Sequence, residues 1–303
     1  MDFAIFGNAT LDIICRPVDD VPRHESLIFE EVAVGPGGCA SNVAVGLSAQ
    51  GCHTALIARV GNDPAFQMLE MYWKKFGVDT RWVMMEKQAP TAVSIAFVDS
   101  QAQPRFVHTP GANGLLTADD FQIELLAAEQ VRWLHLSGYF VLPGLLDGLA
   151  LREKFAKAKA SGMATSLDVV KNYRMDQPKP LLDFLDMVDY LFCNAAEGRK
   201  LSGEYEPQAI SKNLRSRGAG CVLVKLGADG CWYDNGTQSG FMPGYAVDVV
   251  DTTGAGDAFA AGVLAGLVKG IDLATACDMG NRAGAEAATR MGTITLWEAK
   301  GEN

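Results

Sequence analysis

The sequence predicts an α/β protein: a mostly parallel sheet covered on both faces by helices, with a small β flap beside it. Three observations predict it. Short continuous apolar runs recur, helix-like segments lie between several of them, and two extended stretches break the rhythm. Strands of a parallel sheet buried on both faces read as unbroken hydrophobic runs, not as alternating ones.

The runs are FAIF at 3–6, TALIARV at 54–60, RWLHLS at 132–137, ATSLDVV at 164–170, DYLFC at 189–193 and CVLVKLG at 221–227. Helices are expected in PAFQMLEMYWKKFG (64–77) and GLLDGLALREKFAKAKASG (144–162). In the second, Leu145, Leu149, Leu151, Phe155 and Ala158 recur near helical spacing, and Gly162 suits the stop. Residues 13–33 and 89–110 are extended, β-branched and interrupted by proline and turn residues, as antiparallel strands inserted into the α/β unit would be. Such a flap suits an enzyme that excludes water. Repeats, low-complexity tracts and linkers are not evident, so a single domain over 1–303 is expected.

Composition narrows the function. Apolar residues make up 49% of the 303 and charged residues 20%, a globular profile. The net charge of −10 disfavours nucleic-acid binding, which needs a basic face, but leaves room for a small anionic ligand. The N-terminal stretch has no basic region of the signal-peptide kind, and no apolar run reaches the roughly 18 residues of a membrane span. Seven cysteines are scattered without CxxC spacing, and the four histidines form no metal-ligand pattern with them. Buried free thiols in a reducing cytoplasm are expected.

The chemistry concentrates in DTTGAGDAFAAGVLAGL, from Asp251. Thr252 and Thr253 are expected to end a strand containing YAVDVV, with a helix running from Ala258. Gly254, Ala255 and Gly256 then sit where the first helical amides have no carbonyl partners, which is an anion site. Asp257, in the first turn, is poorly suited to bind an anion but well suited to accept a proton from an attacking hydroxyl. A capped, packed turn fits the same residues.

Other segments bear on that choice. This stretch resembles the C-terminal signature of the ribokinase (PfkB) family of sugar and nucleoside kinases. VGPGGCASNVAVGLSAQG (34–51) resembles its N-terminal signature, and GNATLD (7–12) its opening motif. RVGND (59–63), TPGANGLLTADDF (109–121), NAAEGRKL (194–201) and VKLGADG (224–230) follow in the family's order.

The resemblance implies a ribokinase-like three-layer fold with a β-sheet lid, and an ATP-dependent kinase. It implies Asp257 as catalytic base and Gly254, Ala255 and Gly256 as anion hole. Asp12, Gly38 and Asn42 resemble the sugar-binding set. Asn194, Lys225, Gly227, Gly230, Thr252 and Asn281 resemble the nucleotide-binding set, with Glu197 serving Mg²⁺ either directly or through water. Asp251 and Thr253 match a pattern that accompanies a K⁺ site, with carbonyls near Arg290 and Gly292. A homodimer through the lid is implied as well.

Substrate identity is less marked. Thr10 stands where ribokinases carry a sugar-gripping asparagine, and Ser137 where they place a glutamate, which weakens the case for ribose. Arg105 and His108, near the lid's exit, are either substrate contacts or exposed strand residues. A general sugar kinase is the first expectation and a nucleoside kinase the second. A catalytically silent ligand-sensing relative is the third, although it would be expected to have lost Asp257 or its glycines.

Overall fold

The computed structural model describes residues 1–101, 103–170 and 176–301. Residue 102 of the second expected lid segment lies outside them, as do 302 and 303 of the single domain expected over 1–303. In chain order the first strands are β1 (Phe3–Gly7), β2 (Thr10–Arg16), β3 (Glu31–Gly37), β4 (Thr54–Ile57) and β5 (Arg59–Gly61). Then come β6 (Met84–Glu86), β7 (Ala92–Val98), β8 (Pro104–Thr109), β9 (Trp133–Ser137) and β10 (Ala164–Asp168). The last are β11 (Tyr190–Asn194), β12 (Cys221–Lys225), β13 (Gly230–Asp234) and β14 (Ser239–Pro243). The helices are α1 (Cys39–Ala49), α2 (Pro64–Lys75), α3 (Ile123–Ala128), α4 (Gly148–Ala160) and α5 (Lys179–Leu182). They continue as α6 (Ala195–Ser202), α7 (Pro207–Ser216), α8 (Ala255–Val268), α9 (Leu273–Ala288) and α10 (Thr295–Gly301).

Eight strands form the central sheet in the order β14-β13-β12-β11-β10-β9-β1-β4. Those from β12 to β4 pair parallel, while β13 and β14 are antiparallel. Side chains alternate across a strand, and β1 shows what this does. Phe3 and Ile5 pack with Val43 of α1, Trp73 of α2, Leu264 of α8 and Ala276 of α9. Ala4 and Phe6 join Leu126 of α3, Phe155 of α4 and Leu214 of α7 on the other face. Three layers result. The Asp63 side chain caps α2 by accepting from the Phe66 N–H, and Asp147 caps α4.

The lid is a four-stranded sheet, β3-β2-β7-β8. It starts earlier than 13, because β2 begins at Thr10, so Asp12 belongs to the lid strand itself. Residues 17–30 hold no strand. Only Asn8 and Ala9 separate β1 from β2, and Asn113 clamps Ala9: Ala9 N–H donates to its Oδ1 (3.1 Å) and its Nδ2 donates to the Ala9 carbonyl (2.9 Å). Across the lid, Gly35, Asp12, Ser94 and His108 share one row, and Val34, Ile13, Ile95 and Val107 share the next, on the opposite face.

One sequence expectation fails. YAVDVV is not a strand; residues 244–250 have no regular structure. Its β-branched composition favours extended backbone, but a strand also needs a partner. No helix of the described residues is long and apolar enough to cross a membrane.

Candidate active site

Gly7, Ser137, Asp168, Asn194 and Lys225 end the adjacent strands β1, β9, β10, β11 and β12. Because these pairs run parallel, the five ends share one edge of the sheet. In open α/β sheets, ligands bind outside the carboxyl ends of the strands.

Helix α8 is presented to that edge. Its small residues permit close packing: a Cβ on Gly46 of α1 would lie 2.8 Å from Ala261 Cβ, and one on Gly262 2.8 Å from the Met279 carbonyl of α9. Gly254 precedes α8 at φ 79°, and a side chain there would also press on Thr293 Cα at 2.9 Å. The helix starts at Ala255, three residues before the expected Ala258. The Ala255 N–H is engaged by the Thr252 carbonyl (3.2 Å), and the Ala258 N–H by that of Gly254 (2.9 Å). Among the described residues, the Gly256 and Asp257 N–H groups have no such acceptor. The Gly254 N–H has none either, so the open amides are those of Gly254, Gly256 and Asp257, at a positive helix end.

Asp257 is half-buried and meets α1, where Asn42 Nδ2 donates to its Oδ2 at 2.7 Å. Burial raises the Asp257 pKa, while the Asn42 amide, the Lys225 charge and the Cys39 thiol pull the other way. Asn42 Oδ1 is buried without a partner, as is Ser137 Oγ. Gly38 caps α1 with φ 82°. On the lid, Thr10 Oγ1 donates to Asp12 Oδ1 at 2.7 Å. Burial pushes Asp12 up to about 7, against that hydrogen bond and helped by the charges of Asp257 and Asp251. A Cβ on Gly37 would overlap the Asp12 carboxylate, at 1.9 Å from its Cγ. Gly37 thus makes room for this group.

Lys225 Nζ donates to both oxygens of Asp168, at 2.9 and 2.8 Å. The ammonium lies 3.5 Å from where a Gly256 Cβ would stand. Burial lowers the Lys225 pKa, but Asp168, Glu197 and Asp257 outweigh it, and the net direction is upward. Asn194 and Glu197 form a reciprocal cap on α6: Glu197 N–H donates to Asn194 Oδ1 (2.9 Å) and Asn194 N–H to Glu197 Oε2 (2.7 Å).

The other expected residues are placed as follows. Asp251 is buried, and its Oδ1 accepts from Thr253 N–H (2.9 Å) and Oγ1 (2.7 Å). Its Oδ2 accepts from Gly292 N–H at 3.2 Å, which ties the two halves of the expected K⁺ site together. Asn281 Nδ2 donates to the Met242 and Pro243 carbonyls, both at 3.0 Å, so its amide is engaged with β14. Thr252 is exposed. Gly227 and Gly230 shape the turn from β12 to β13 with positive φ. Arg105 donates to the Val18 and Asp19 carbonyls within the lid, and His108 is exposed on Asp12's row.

The model of the pfkB family carbohydrate kinases matches residues 2–300. The chain belongs to that family. It is 30% identical over 276 residues to the 2-dehydro-3-deoxygluconokinase of Bacillus subtilis (strain 168), covering 86% of this chain and 82% of that one. It is 29% identical over 306 residues to the aminoimidazole riboside kinase of Salmonella typhimurium, covering 96% and 90%. Among solved structures, the Escherichia coli chain assigned as ribokinase II, in complex with ATP and Mg²⁺, superposes with TM-score 0.85 at 23% identity over 99% of each chain. The fold is ribokinase-like, and the protein is an ATP-dependent phosphotransferase with an alcohol acceptor.

In this kinase, sequence reasoning missed Gly37, Cys39 and Asp168. Asp168 carried a usable signal, the one charged residue inside the strand-like run ATSLDVV. Cys39 and Gly37 carried none, since their neighbours Asp257 and Asp12 are brought by the fold.

Proposed function

We propose that this kinase transfers the γ-phosphoryl group of ATP to a hydroxyl of a small sugar or sugar derivative. Asp257 is the base, and the amides opening α8 are the anion hole. The observation that carries this reading is the meeting of Asn42, Asp257 and the open amides before and within the first turn of α8 at the sheet's carboxyl edge. Asp12, Asn42 and the cradle of Gly37 and Gly38 hold the acceptor, whose hydroxyls supply donors for the Asp12 carboxylate and for Asn42 Oδ1. Asp257 takes the proton as the oxygen attacks, while the Gly256 and Asp257 amides and Lys225 stabilise charge on the travelling phosphoryl group. The lid closes over substrate and keeps water out.

Mg²⁺ accompanies ATP in this reading. Asp168, Glu197 and Asp257 face one ammonium, so a triphosphate meets excess negative charge that a dication offsets. Among the described residues, no three acidic, histidine or cysteine side chains are grouped as a ready cage. That suits an ion held by one or two carboxylates, phosphates and its own water. Glu197 is the residue to hold it, and the bound ion would neutralise charge on the phosphates. K⁺ is proposed beside Asp251 and Thr253, bound by carbonyls near Arg290 and Gly292. A rate unchanged between K⁺ and a bulky inert cation counts against it.

Sugars and sugar acids are the first acceptor class, in keeping with the 2-dehydro-3-deoxygluconokinase relative. Nucleosides are the second, in keeping with the riboside kinase relative. ATP consumption measured over a panel of sugars, sugar acids and nucleosides separates them. Turnover with no member of the panel rejects both acceptor classes.

A further inference from the structure

We propose that Asp168 is a positioning residue for phosphoryl transfer: it fixes the Lys225 ammonium beside Gly256, where Lys225 meets the γ-phosphate. This rests on the kinase reading above and adds a residue to it.

Asp168 and Lys225 end strands that are not neighbours, since β11 runs between them. Asp168 is in register with Phe192 and Lys225 with Asn194, so the two side chains reach toward each other across the carboxyl end of β11, on one face of the sheet. The carboxylate is 3% exposed and the ammonium-bearing side chain 16%, so the pair is shielded from water and its geometry is held. Such a pair is poor evidence of a stabilising device, because buried ion pairs often add nothing over packed apolar residues. Its placement offers a better reason. Lysine carries a point charge on a flexible stem with three N–H donors. Asp168 engages one side of the ammonium through both its oxygens, leaving at least one donor for an anion seated on the Gly256 and Asp257 amides. The ammonium's distance of 3.5 Å from the Gly256 Cβ position puts that anion within its reach. A charge fixed in advance is what lowers a barrier, since nothing reorganises as charge develops.

The test compares the parent with Asp168→Asn, Lys225→Met and the double variant. Two readouts are used: kcat at saturating acceptor, and the rise in melting temperature on adding ATP or ADP with Mg²⁺. Lys225→Met is expected to lower kcat about 10²–10³-fold, the usual effect of losing one such donor. Asp168→Asn should lower it about tenfold or more, and the double variant should be no slower than Lys225→Met, within about threefold, because the two act as a unit. Both single variants should show a smaller rise with ATP than the parent and an unchanged rise with ADP. A purely structural pair would alter both rises or neither.

Parental kcat in folded Asp168→Asn, losses that multiply in the double variant, or equal ATP rises each overturn the proposal. If Asp168→Asn does not melt cooperatively, the double variant leaves no buried charge unpaired and is compared with Lys225→Met. A further loss beyond about threefold then overturns the proposal. The nucleotide readout needs no acceptor, so a parent inactive with every compound in the panel sinks the proposed acceptor classes and leaves this inference still tested.

Discussion

Asp257 is served by two kinds of neighbour. The Asn42 amide and the Lys225 charge favour its ionised form, and burial opposes them. Asp257→Asn keeps the shape and removes the proton acceptor, so kcat should fall by about 10²-fold or more, while the ATP-induced rise in melting temperature stays near parental. Retention of more than about a tenth of the activity would remove Asp257 from the role of base. Asp12 makes a different prediction. Its pKa is about 7 in the folded protein against an ordinary value of 3.8, so the native state holds the extra proton between those limits. Its contribution to stability is complete below the ordinary value and is lost as pH rises through about 7. Melting temperatures from pH 4 to 8 should therefore fall less steeply in Asp12→Asn than in the parent. Equal slopes would show that Asp12 is not held protonated.

Among the elements, the junction before α8 is the most constrained. An alanine at Gly254 must adopt φ near 79° and push on Thr293 at once. Gly254→Ala should cost about 10²-fold in kcat, as displaced reacting groups do, with the loss exceeding any loss of ATP affinity. Parental kcat would mean the loop is not the anion hole. The helix at this junction was legible in the sequence, though placed three residues late and after a strand that is absent, because helix starts are set by local residues: small, flexible positions followed by an acid in the first turn. The runs behind β1, β4 and β9 to β12 were legible for a similar reason, since burial on both faces leaves an unbroken apolar stretch. Residues 244–250 misled because a strand is defined by its neighbour, which Val247, Val249 and Val250 do not announce. The pairing of Asp168 with Lys225 was hidden likewise, by a separation of 57 positions in the chain.

For the whole molecule, the lid's outer row of Val34, Ile13, Ile95 and Val107 is apolar across all four strands, with Val34 39% and Val107 61% exposed. We propose that a second copy's lid covers it, making a homodimer. Val107→Asp should shift sedimentation from dimer to monomer while the melting of the body is little changed. A parent that sediments as a monomer at micromolar concentration rejects the proposal. The three-layer body and the existence of a lid could be read from the sequence, because periodicity and composition report them. The lid's true start at Thr10 could not, since β2 follows β1 after two residues and the turn residues Gly7 and Asn8 do not tell that the next strand joins another sheet.

That short junction has a mechanical consequence. With Asn8 and Ala9 as the whole tether on this side, and Asn113 gripping Ala9 from both its N–H and its carbonyl, the lid swings from a stiff pivot, and Asp12 sits three residues along the lever. Loosening the grip with Asn113→Ala should leave the layers intact and spoil the seal, so that ATP consumed begins to exceed acceptor phosphorylated; a ratio that stays at one would mean the swing is governed elsewhere.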